Sequence, residues 1–441
     1  MKINYDLIII GLNESAISAA EYALNLGARV AIIYNSNFSF LSKNIILDLN
    51  IDRLRLIDNI LSQEVKKINC KIENLKLAGL DIFSKESVSS FSQTNRKIKV
   101  SMGKYTFSSP VAIITDILSQ NLEFTYSLKT NKVNIYENFS DLKNILNSAI
   151  ASVTIKGSNL EAIYLAQQLT SLNKSIILPI KNKQLLPTED KDISWKLQLI
   201  LEAKGIKICN ANADKLETNQ NISNENNFII NTEKNISYDD YQDLGNDLGL
   251  KWQGYNILAN ERLQTHNSKI YACGEILGGY TLDNLNQYEA KIAVDNSLFF
   301  PLKKVDYENI SYSLNTNPRI HRIGYTEKQA LQLYHNNFYI IKLDVNFNYH
   351  HYSSFIKLII SNDNLILGFH GLGKNLEELF IVIKNIKQNR YSINYLFKEN
   401  FNNIYTYKIA NQIKEKFLEK EKKQNNIIMG IRETFLLYKR S

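Results

Sequence analysis

The chain has 441 residues, of which 44% are hydrophobic and 22% are charged, and its net charge is +8. This composition excludes global disorder, and the length predicts about three domains. The sequence has no run of about 18 apolar residues, so we expect no membrane-spanning helix.

The three cysteines, Cys70, Cys209 and Cys273, are far apart in the chain and form neither a CxxC nor a CxxxxC motif. This spacing excludes a disulfide scaffold and a zinc module. It predicts a reducing compartment, and we expect a cytoplasmic protein without a bound metal.

The basic excess is concentrated at the C-terminus, where residues 401–441 contain nine Lys/Arg and four Glu. A nucleic-acid groove would spread basic and aromatic side chains over one face. The pattern here instead predicts a solvated, basic helical tail and no nucleic-acid partner.

The first recognisable unit begins at residue 6. An uninterrupted apolar run over residues 6–10 is typical of a buried parallel strand, and Gly11 ends it. Apolar residues then recur at helical spacing over 13–26, and a second apolar strand is predicted at 29–34. This order predicts a βαβ unit.

The same order returns about 145 residues later. A strand at 152–155 is followed by Gly157, a helix is predicted at 159–172, and another strand at 175–178. Two such units predict two nucleotide-type folds in one chain.

The remaining segments have a different pattern. Residues 218–240 are rich in Asn and Ser and predict a polar hairpin or loop. Beyond residue 306 we predict an α+β domain, with strands at 340–345, 355–360 and 365–371 and helices at 375–387 and 407–424.

The turn of each βαβ unit carries the information on cofactor binding. A dinucleotide-binding turn reads G-x-G-x-x-G/A, and its middle glycine allows the pyrophosphate to approach the backbone. Gly11 and Ala16 occupy the first and third places of turn 1 (residues 11–16), and Gly157 and Ala162 occupy them in turn 2 (residues 157–162). In both turns the middle glycine is replaced by asparagine.

Each helix is therefore predicted to satisfy its own free N–H groups. Asn13 and Asn159 belong to a residue type that caps helices well, and Ser158 and Glu161 have capping-box spacing. The acid that usually ends the second strand is missing, since Tyr34 and Pro179 stand there. This pattern weakens the expectation of a phosphate at either turn.

Several motifs nevertheless resemble one family. The segments that carry the resemblance are residues 6–34, 185–190, 270–275, 278–280, 288–290 and 318–327. In this order the chain resembles the flavin-dependent pyridine nucleotide–disulfide oxidoreductases, the group of dihydrolipoamide dehydrogenase, glutathione reductase and mercuric reductase. Gly274 and Glu275 look like the family's second FAD motif, with Glu in place of Asp.

The resemblance implies an α/β fold with two Rossmann-like FAD/NAD(P)-binding domains and a C-terminal α+β dimerisation domain. The predicted boundaries are 1–125 and 241–305 for the FAD-binding-like domain, 126–240 for the NAD(P)-binding-like domain and 306–441 for the dimerisation domain. The resemblance also implies FAD, a nicotinamide cofactor, a redox-active cysteine pair and a homodimer.

Most of the family's chemistry does not carry over. The cysteine pair should follow the second strand, yet residues 35–49 contain no cysteine. Tyr164 stands where the family has a glutamate near the flavin. Because disulfide exchange requires a thiolate, we predict that this half-reaction is absent.

Two interpretations stay open. In the first, Gly11, Ala16, Gly274 and Glu275 hold FAD, and the protein passes electrons to a quinone, dye or metal. In the second, it is a catalytically inactive scaffold or regulator with capped cofactor clefts, which could bind an unidentified protein. In the first, the electron donor is a reduced nicotinamide or another donor, although the pattern of turn 2 predicts an empty NAD-like cleft at Gly157 and Ala162.

Two weaker candidates are also present. Cys273 is predicted to be a small buried residue. His350, His351 and His370 could suggest a metal, but no carboxylate spacing supports one.

Overall fold

The computed structural model describes residues 2–34, 57–84, 90–93, 97–102, 105–116, 152–171, 173–180, 184–210, 227–232, 248–254, 256–279, 282–347, 352–424 and 438–439. The chain divides into two compact units, and each consists of two pieces. The first unit is Met1–Val153 with Asn224–Val305, and the second is Thr154–Ser223 with Asp306–Ser441.

A five-stranded parallel sheet lies at the centre of the first unit. Its order is β15-β8-β2-β3-β4. All four residues of β2 are buried, as expected of an apolar run covered on both faces. The strands are β2 (Leu7–Ile10), β3 (Val30–Tyr34), β4 (Asp81–Ser84), β8 (Val111–Ile114) and β15 (Ile270–Ala272).

Helices cover one face of this sheet. They are α1 (Glu14–Asn25), α2 (Ile57–Leu77) and α5 (Asp283–Leu298). Small side chains such as Ala20 and Ala293 belong to the apolar cluster between the helices and the sheet, so α1 and α5 can pack closely. The Tyr22 hydroxyl donates to Asp295 Oδ1 at 3.1 Å and ties the two helices together.

A second sheet covers the opposite face. It has the order β1-β7-β6-β5 and contributes Val100 and Phe107 to a second apolar cluster. Its strands are β1 (Lys2–Asn4), β5 (Ser90–Gln93), β6 (Ile98–Met102) and β7 (Tyr105–Ser109). The first unit is therefore layered as helices, parallel sheet and second sheet. Short strands also lie at β12 (Asn227–Asn231), β13 (Trp252–Gln253) and β14 (Asn256–Ile257).

The first piece of the second unit repeats the βαβ order. Strands β9 (Ser152–Lys156), β10 (Ser175–Ile180) and β11 (Lys207–Asn210) lie in the order β11-β10-β9. Helices α3 (Leu160–Ser171) and α4 (Lys191–Ala203) connect them. In α3 the residues at helical spacing, Ile163, Ala166 and Leu169, are buried.

The second piece is an antiparallel sheet with helices. The sheet order is β16-β17-β20-β19-β18. Its strands are β16 (Ser311–Leu314), β17 (Arg319–Gly324), β18 (Phe338–Phe347), β19 (Tyr352–Ser361) and β20 (Ile366–Gly373). The helices are α6 (Glu327–Tyr334), α7 (Glu377–Gln388) and α8 (Ile404–Gln424).

Both predicted βαβ units are confirmed, as is the α+β character of residues 306–424. The segment 218–240, for which we predict a polar hairpin or loop, contains the strand β12. The sequence analysis also missed β5–β7, which are only four or five residues long, although apolar and polar residues alternate over Ile98–Met102. The four predicted domain boundaries stay a prediction. None of the helices among the described residues is long and apolar enough to span a membrane.

Candidate functional site

The strand order of the first unit creates one crevice. In the parallel sheet, β2 is the first strand in the chain. Strands β3 and β4 lie on one side of it, and β8 and β15 lie on the other. In parallel sheets, ligands bind at the carboxyl ends of the strands where this reversal occurs. Gly11 follows β2 and Thr115 follows β8, so turn 1 lies at the point of reversal.

Gly11 is required by a close backbone approach. Its φ is +113°, and a Cβ there would lie 2.5 Å from Thr115 Oγ1 and 2.8 Å from Asp116 N. Its N–H donates to Ile33 O at 2.8 Å, which ties turn 1 to β3. The glycine thus has a demonstrated packing role, and its role in cofactor binding stays a prediction.

Asn13 joins the two strands of the crevice. Its Oδ1 accepts from the Ala16 N–H at 3.0 Å, which caps α1, and its Nδ2 donates to Thr115 O at 2.9 Å. The predicted cap is confirmed, and Ala16 is fully buried beneath it. Glu14 lies in the first turn of α1, where a carboxylate suits the helix dipole but disfavours a second anion.

The segment after β15 reaches the same helix. Gly274 has φ +80°, and a Cβ there would lie 2.7 Å from Ser15 Cβ and would overlap the Ser15 hydroxyl. The Gly274 N–H donates to the buried Glu289 Oε2 at 2.6 Å. Glu275 follows in a short 3-10 helix, Gly274–Leu277. The structure therefore brings Gly11, Ala16 and Gly274 to one end of α1.

Turn 2 has the same cap but different surroundings. The Ala162 N–H donates to Asn159 Oδ1 at 3.0 Å, and Gly157 has φ +141°. The cap comes from Asn159, so the capping box predicted from Ser158 is wrong by one residue, because α3 begins at Leu160. The Ser158 carbonyl instead accepts from the Leu186 N–H at 2.8 Å.

Two tyrosines occupy positions at which the resemblance predicts acids. Tyr34 ends β3 and is half-buried against the apolar cluster of α1 and α5. Tyr164 lies on the inner side of α3 and is 3% exposed. A buried phenol at this position packs in the core and supplies no carboxylate.

The cysteines form no redox centre in the described part of the chain. Cys273 is fully buried, as predicted, and burial together with Glu289 raises the pKa of its thiol well above the usual value. Cys70 is exposed and Cys209 half-buried, and all three are free thiols. A protonated, enclosed Cys273 does not supply the thiolate that disulfide exchange needs.

The metal candidate is not assembled by the described residues. His370 is buried in β20, and its Nε2 lies 2.8 Å from Tyr325 O. His350 and His351 lie outside the described residues. Within the described ranges, no group of three His, Cys, Asp or Glu side chains is placed to hold a metal ion.

The contacts of two residues in this region could not be predicted from the sequence. Ser15 packs against Gly274, and Thr115 accepts from Asn13 while its hydroxyl donates to Ile10 O at 3.2 Å. Both partners are more than 100 residues away from Thr115 in the chain, so no local pattern could reveal them.

Comparison with known proteins points to one family. The family model for pyridine nucleotide-disulphide oxidoreductases matches residues 5–290. The mercuric reductase of Lysinibacillus sphaericus is 24% identical over 364 residues, which cover 74% of this chain and 66% of that protein. A dihydrolipoyl dehydrogenase of Bacillus subtilis (strain 168) is 24% identical over 249 residues, 52% of each chain. The chain thus spans less than two thirds of either relative.

A solved structure matches a larger share. The Cu(II) complex of the HOCl-induced flavoprotein disulfide reductase RclA from Escherichia coli superposes with a TM-score of 0.69. The match covers 93% of this chain and 98% of that one, at 16% sequence identity. At this identity the likeness shows the fold alone, which is the predicted α/β fold with Rossmann-like domains.

Proposed function

Because this chain belongs to the pyridine nucleotide-disulphide oxidoreductase family, we propose that it is a flavin-binding oxidoreductase that has lost the disulfide-exchange half-reaction. The observation that carries the proposal is the meeting of Gly274 with Ser15 at the end of α1. Two segments more than 250 residues apart are kept in close contact at the crevice, where a side chain at position 274 would separate them.

The residues around the crevice fit FAD in part. Gly11 and Gly274 keep turn 1 and the second motif close together, and the N-terminus of α1 points to the carboxyl edge of the sheet. Gly11, Ala16, Gly274 and Glu275 would hold the cofactor. When bound, FAD supplies hydride and electron transfer, which no side chain of this region supplies.

Asn13 limits how a phosphate can approach. Its amide occupies the place of the middle glycine and spans from Ala16 N to Thr115 O. We infer that the Asn13 side chain weakens FAD binding rather than abolishing it, since Gly274 and Glu275 offer contacts that do not depend on turn 1.

The disulfide step is not part of the proposal. Cys273 is enclosed, and burial and Glu289 keep its thiol protonated at neutral pH by raising its pKa. Two electrons would therefore leave a reduced donor and reach an acceptor of the quinone, dye or metal class without a protein disulfide.

Turn 2 does not fit NAD(P)H. The Ala162 N–H is already bonded to Asn159, and Glu161 adds negative charge to the first turn of α3. Tyr164 is buried beneath the helix. A nicotinamide at this turn is therefore not part of the proposed reaction.

A second candidate is a non-catalytic dimeric scaffold or regulator. The specific observation in its favour is that asparagine caps both helices with the same geometry, 3.0 Å to the N–H of the third helical residue. In this alternative the fold is kept and both clefts stay closed.

We also propose a homodimer formed through the C-terminal piece. This piece exposes several large apolar side chains, which are usual at interfaces. They are Ile381, Tyr391, Tyr395, Ile404, Tyr407 and Leu418. Light scattering of the purified chain tests the dimer, and a monomeric mass would contradict it.

The visible spectrum separates the two functions. The purified full-length chain should show flavin bands, and denaturation should release the flavin. A colourless protein that also fails to take up added FAD would contradict the flavin-binding proposal and favour the scaffold or regulator.

The variant Asn13→Gly tests the inference about turn 1. Glycine is a tolerable N-cap, so the helix should persist while the side chain that obstructs the phosphate is removed. We expect FAD affinity to rise about tenfold, equivalent to about 1.4 kcal/mol. The matched control Asn159→Gly changes the same residue type in turn 2 and should leave FAD affinity unchanged.

A further inference from the structure

A row of basic side chains crosses the antiparallel sheet of the second unit. Arg322 in β17 pairs with His370 in β20, His370 pairs with Lys357 in β19, and Lys357 pairs with Lys342 in β18. Residues directly opposite each other in paired strands project from the same face. We call these four residues the basic row.

Lys357 is the centre of the basic row. Its side chain is 1% exposed, and its Nζ lies 2.7 Å from Asp190 Oδ1, 2.6 Å from Asp192 Oδ2 and 2.5 Å from Glu327 Oε2. Three carboxylates thus surround one buried ammonium group, so the geometry satisfies all three of its donor positions.

Two of the three carboxylate partners of Lys357, Asp190 and Asp192, belong to the acidic segment, which we define as residues 184–192. Asp190 caps α4 through Asp192 N and accepts from Glu327 N at 2.9 Å. Glu189 accepts from the Tyr312 hydroxyl at 2.6 Å, and Arg322 donates to Thr188 O at 2.6 Å. The acidic segment is therefore bonded along its length to β16, β17, β19 and α6.

Several of the contacts that attach the acidic segment to the sheet are ionic. Asp190 and Asp192 pair with Lys357, and Glu189 lies 3.5 Å from Arg322. The strength of these contacts depends on charge, while Leu185 and Leu186 of the same segment are buried.

The acidic segment also reaches turn 2. The Leu186 N–H donates to Ser158 O at 2.8 Å, and the Leu186 carbonyl accepts from the Ser194 hydroxyl at 3.3 Å. Leu186 has φ +46°, a conformation that non-glycine residues adopt only when their surroundings enforce it. Leu186 lies between turn 2 and the contacts with the sheet, and these contacts hold it in that conformation.

The charge states agree with a closed arrangement at neutral pH. Burial lowers the pKa of Lys357, but its bonds to Asp190, Asp192 and Glu327 outweigh burial and raise it. Burial and, after it, the charge of Arg322 lower the pKa of His370 to about 3, so His370 is neutral at pH 7. The carboxylates bonded to Lys357 are Asp190, Asp192 and Glu327. Lys342 shares Asp192 with it, and the charges of Lys357 and Arg322 both act on His370, while Arg322 pairs with Glu189.

We propose that the basic row is a clasp that fixes the acidic segment on the sheet and, through Leu186, holds turn 2 in its capped conformation. The C-terminal sheet would then position a nucleotide-type turn to which it contributes no residue. This inference stands apart from the proposed function, because it concerns turn 2 and needs no cofactor.

Hydrogen exchange of the full chain at pH 7 tests the clasp. In Lys357→Met, we expect the amides of Leu186 and Ala162 to exchange at least tenfold faster than in the unmodified protein. The Ala16 amide in turn 1 should not change. Exchange of Leu186 and Ala162 at the original rate in folded Lys357→Met would overturn the proposal.

The matched control is Lys342→Met. Lys342 belongs to the same row, but its side chain is 47% exposed and it contacts Asp192 alone among the described carboxylates. We expect less than a threefold change, and an effect equal to that of Lys357→Met would also overturn the proposal.

Glu327→Gln covers the case in which Lys357→Met does not fold. It removes one of the three charges on Lys357, and Glu327 is 45% exposed, so the chain should tolerate it. The clasp predicts an intermediate, two- to fivefold rise in the exchange of Leu186, and no rise would contradict it.

Discussion

Turns 1 and 2 have the same local chemistry and different tertiary support. In both, an asparagine side chain caps the helix at 3.0 Å. Turn 1 is held by residues that follow other strands of its own sheet, Thr115 and Gly274. Turn 2 is held by Leu186 from the segment that the basic row fixes. An identical capping motif therefore does not define a cofactor site, since the residues packed around it decide what the turn can contact.

The largest effect is expected from a substitution that disrupts the packing that supports turn 1. Gly274→Ala would place a methyl group against Ser15 and force a left-handed backbone on alanine. Overpacking and φ strain together should lower the free energy of unfolding by about 3 kcal/mol, as urea denaturation can measure.

Gly279→Ala is the control for this substitution. Gly279 has φ +94°, but no other atom lies within 4 Å of an added Cβ. Only the strain of about 1–2 kcal/mol applies here. Equal losses in the two variants would show that the contact with Ser15 does not matter.

Acidification should weaken the ion pairs that support turn 2. Burial raises the pKa of Asp190, but the hydrogen bond from the Glu327 amide and the bond and charge of Lys357 lower it below its usual value. Burial also opposes ionisation of Asp192, and its bonds to Lys342 and Lys357 again lower the pKa. Both carboxylates bind protons less readily in the folded chain than in the unfolded one.

The stability they provide is complete above the usual carboxylate pKa and is lost as the pH falls through the lowered values. We expect a loss of about 2 kcal/mol in the second unit below about pH 4, followed as hydrogen exchange of residues 184–192. Asp190→Asn should flatten this dependence, and an unchanged acid response in that variant would contradict the assignment.

Alanine at the two caps compares the turns directly. Asn159→Ala removes one cap and should cost about 1 kcal/mol. Asn13→Ala also removes the bond to Thr115 O, so it should cost about 2 kcal/mol. Thermal unfolding of both variants gives the difference, and a smaller loss for Asn13→Ala would show that the bridge to Thr115 contributes nothing.

The smallest expected effect is the response of turn 2 to a nicotinamide. Micromolar NADH and NADPH should not quench the fluorescence of the unmodified chain, because the Ala162 N–H is bonded to Asn159. Quenching in this range would show that the asparagine does not close turn 2.

The sequence was most informative where neighbouring residues decide the structure. The apolar runs predicted β2, β3 and β9, because a strand buried on both faces is apolar throughout. The helical spacing predicted α1 and α3, because a helix buried along one stripe has apolar residues three and four apart. The asparagine cap of α1 was also predictable, since capping joins residues three apart.

The sequence was less informative where a bond joins distant segments. Lys357 stands in an apolar run and looks like an isolated polar residue of a strand, and nothing near it indicates Asp190, 167 residues away. The contact between Ser15 and Gly274 is equally invisible, because the hydrogen-bonding pattern of one segment does not specify which other segment will meet it.

The sequence alone thus determined the two βαβ units, the family resemblance, the asparagines of the two turns and the absence of a CxxxxC pair. Tertiary structure decided which residues support each turn, that Cys273 is enclosed beside Glu289, and that Lys357 lies among three carboxylates. The physical reason is the separation along the chain of the residues that each interaction joins. Hydrophobic periodicity and helix capping act over a few residues, whereas burial and charge pairing depend on which distant segments the folded chain brings together.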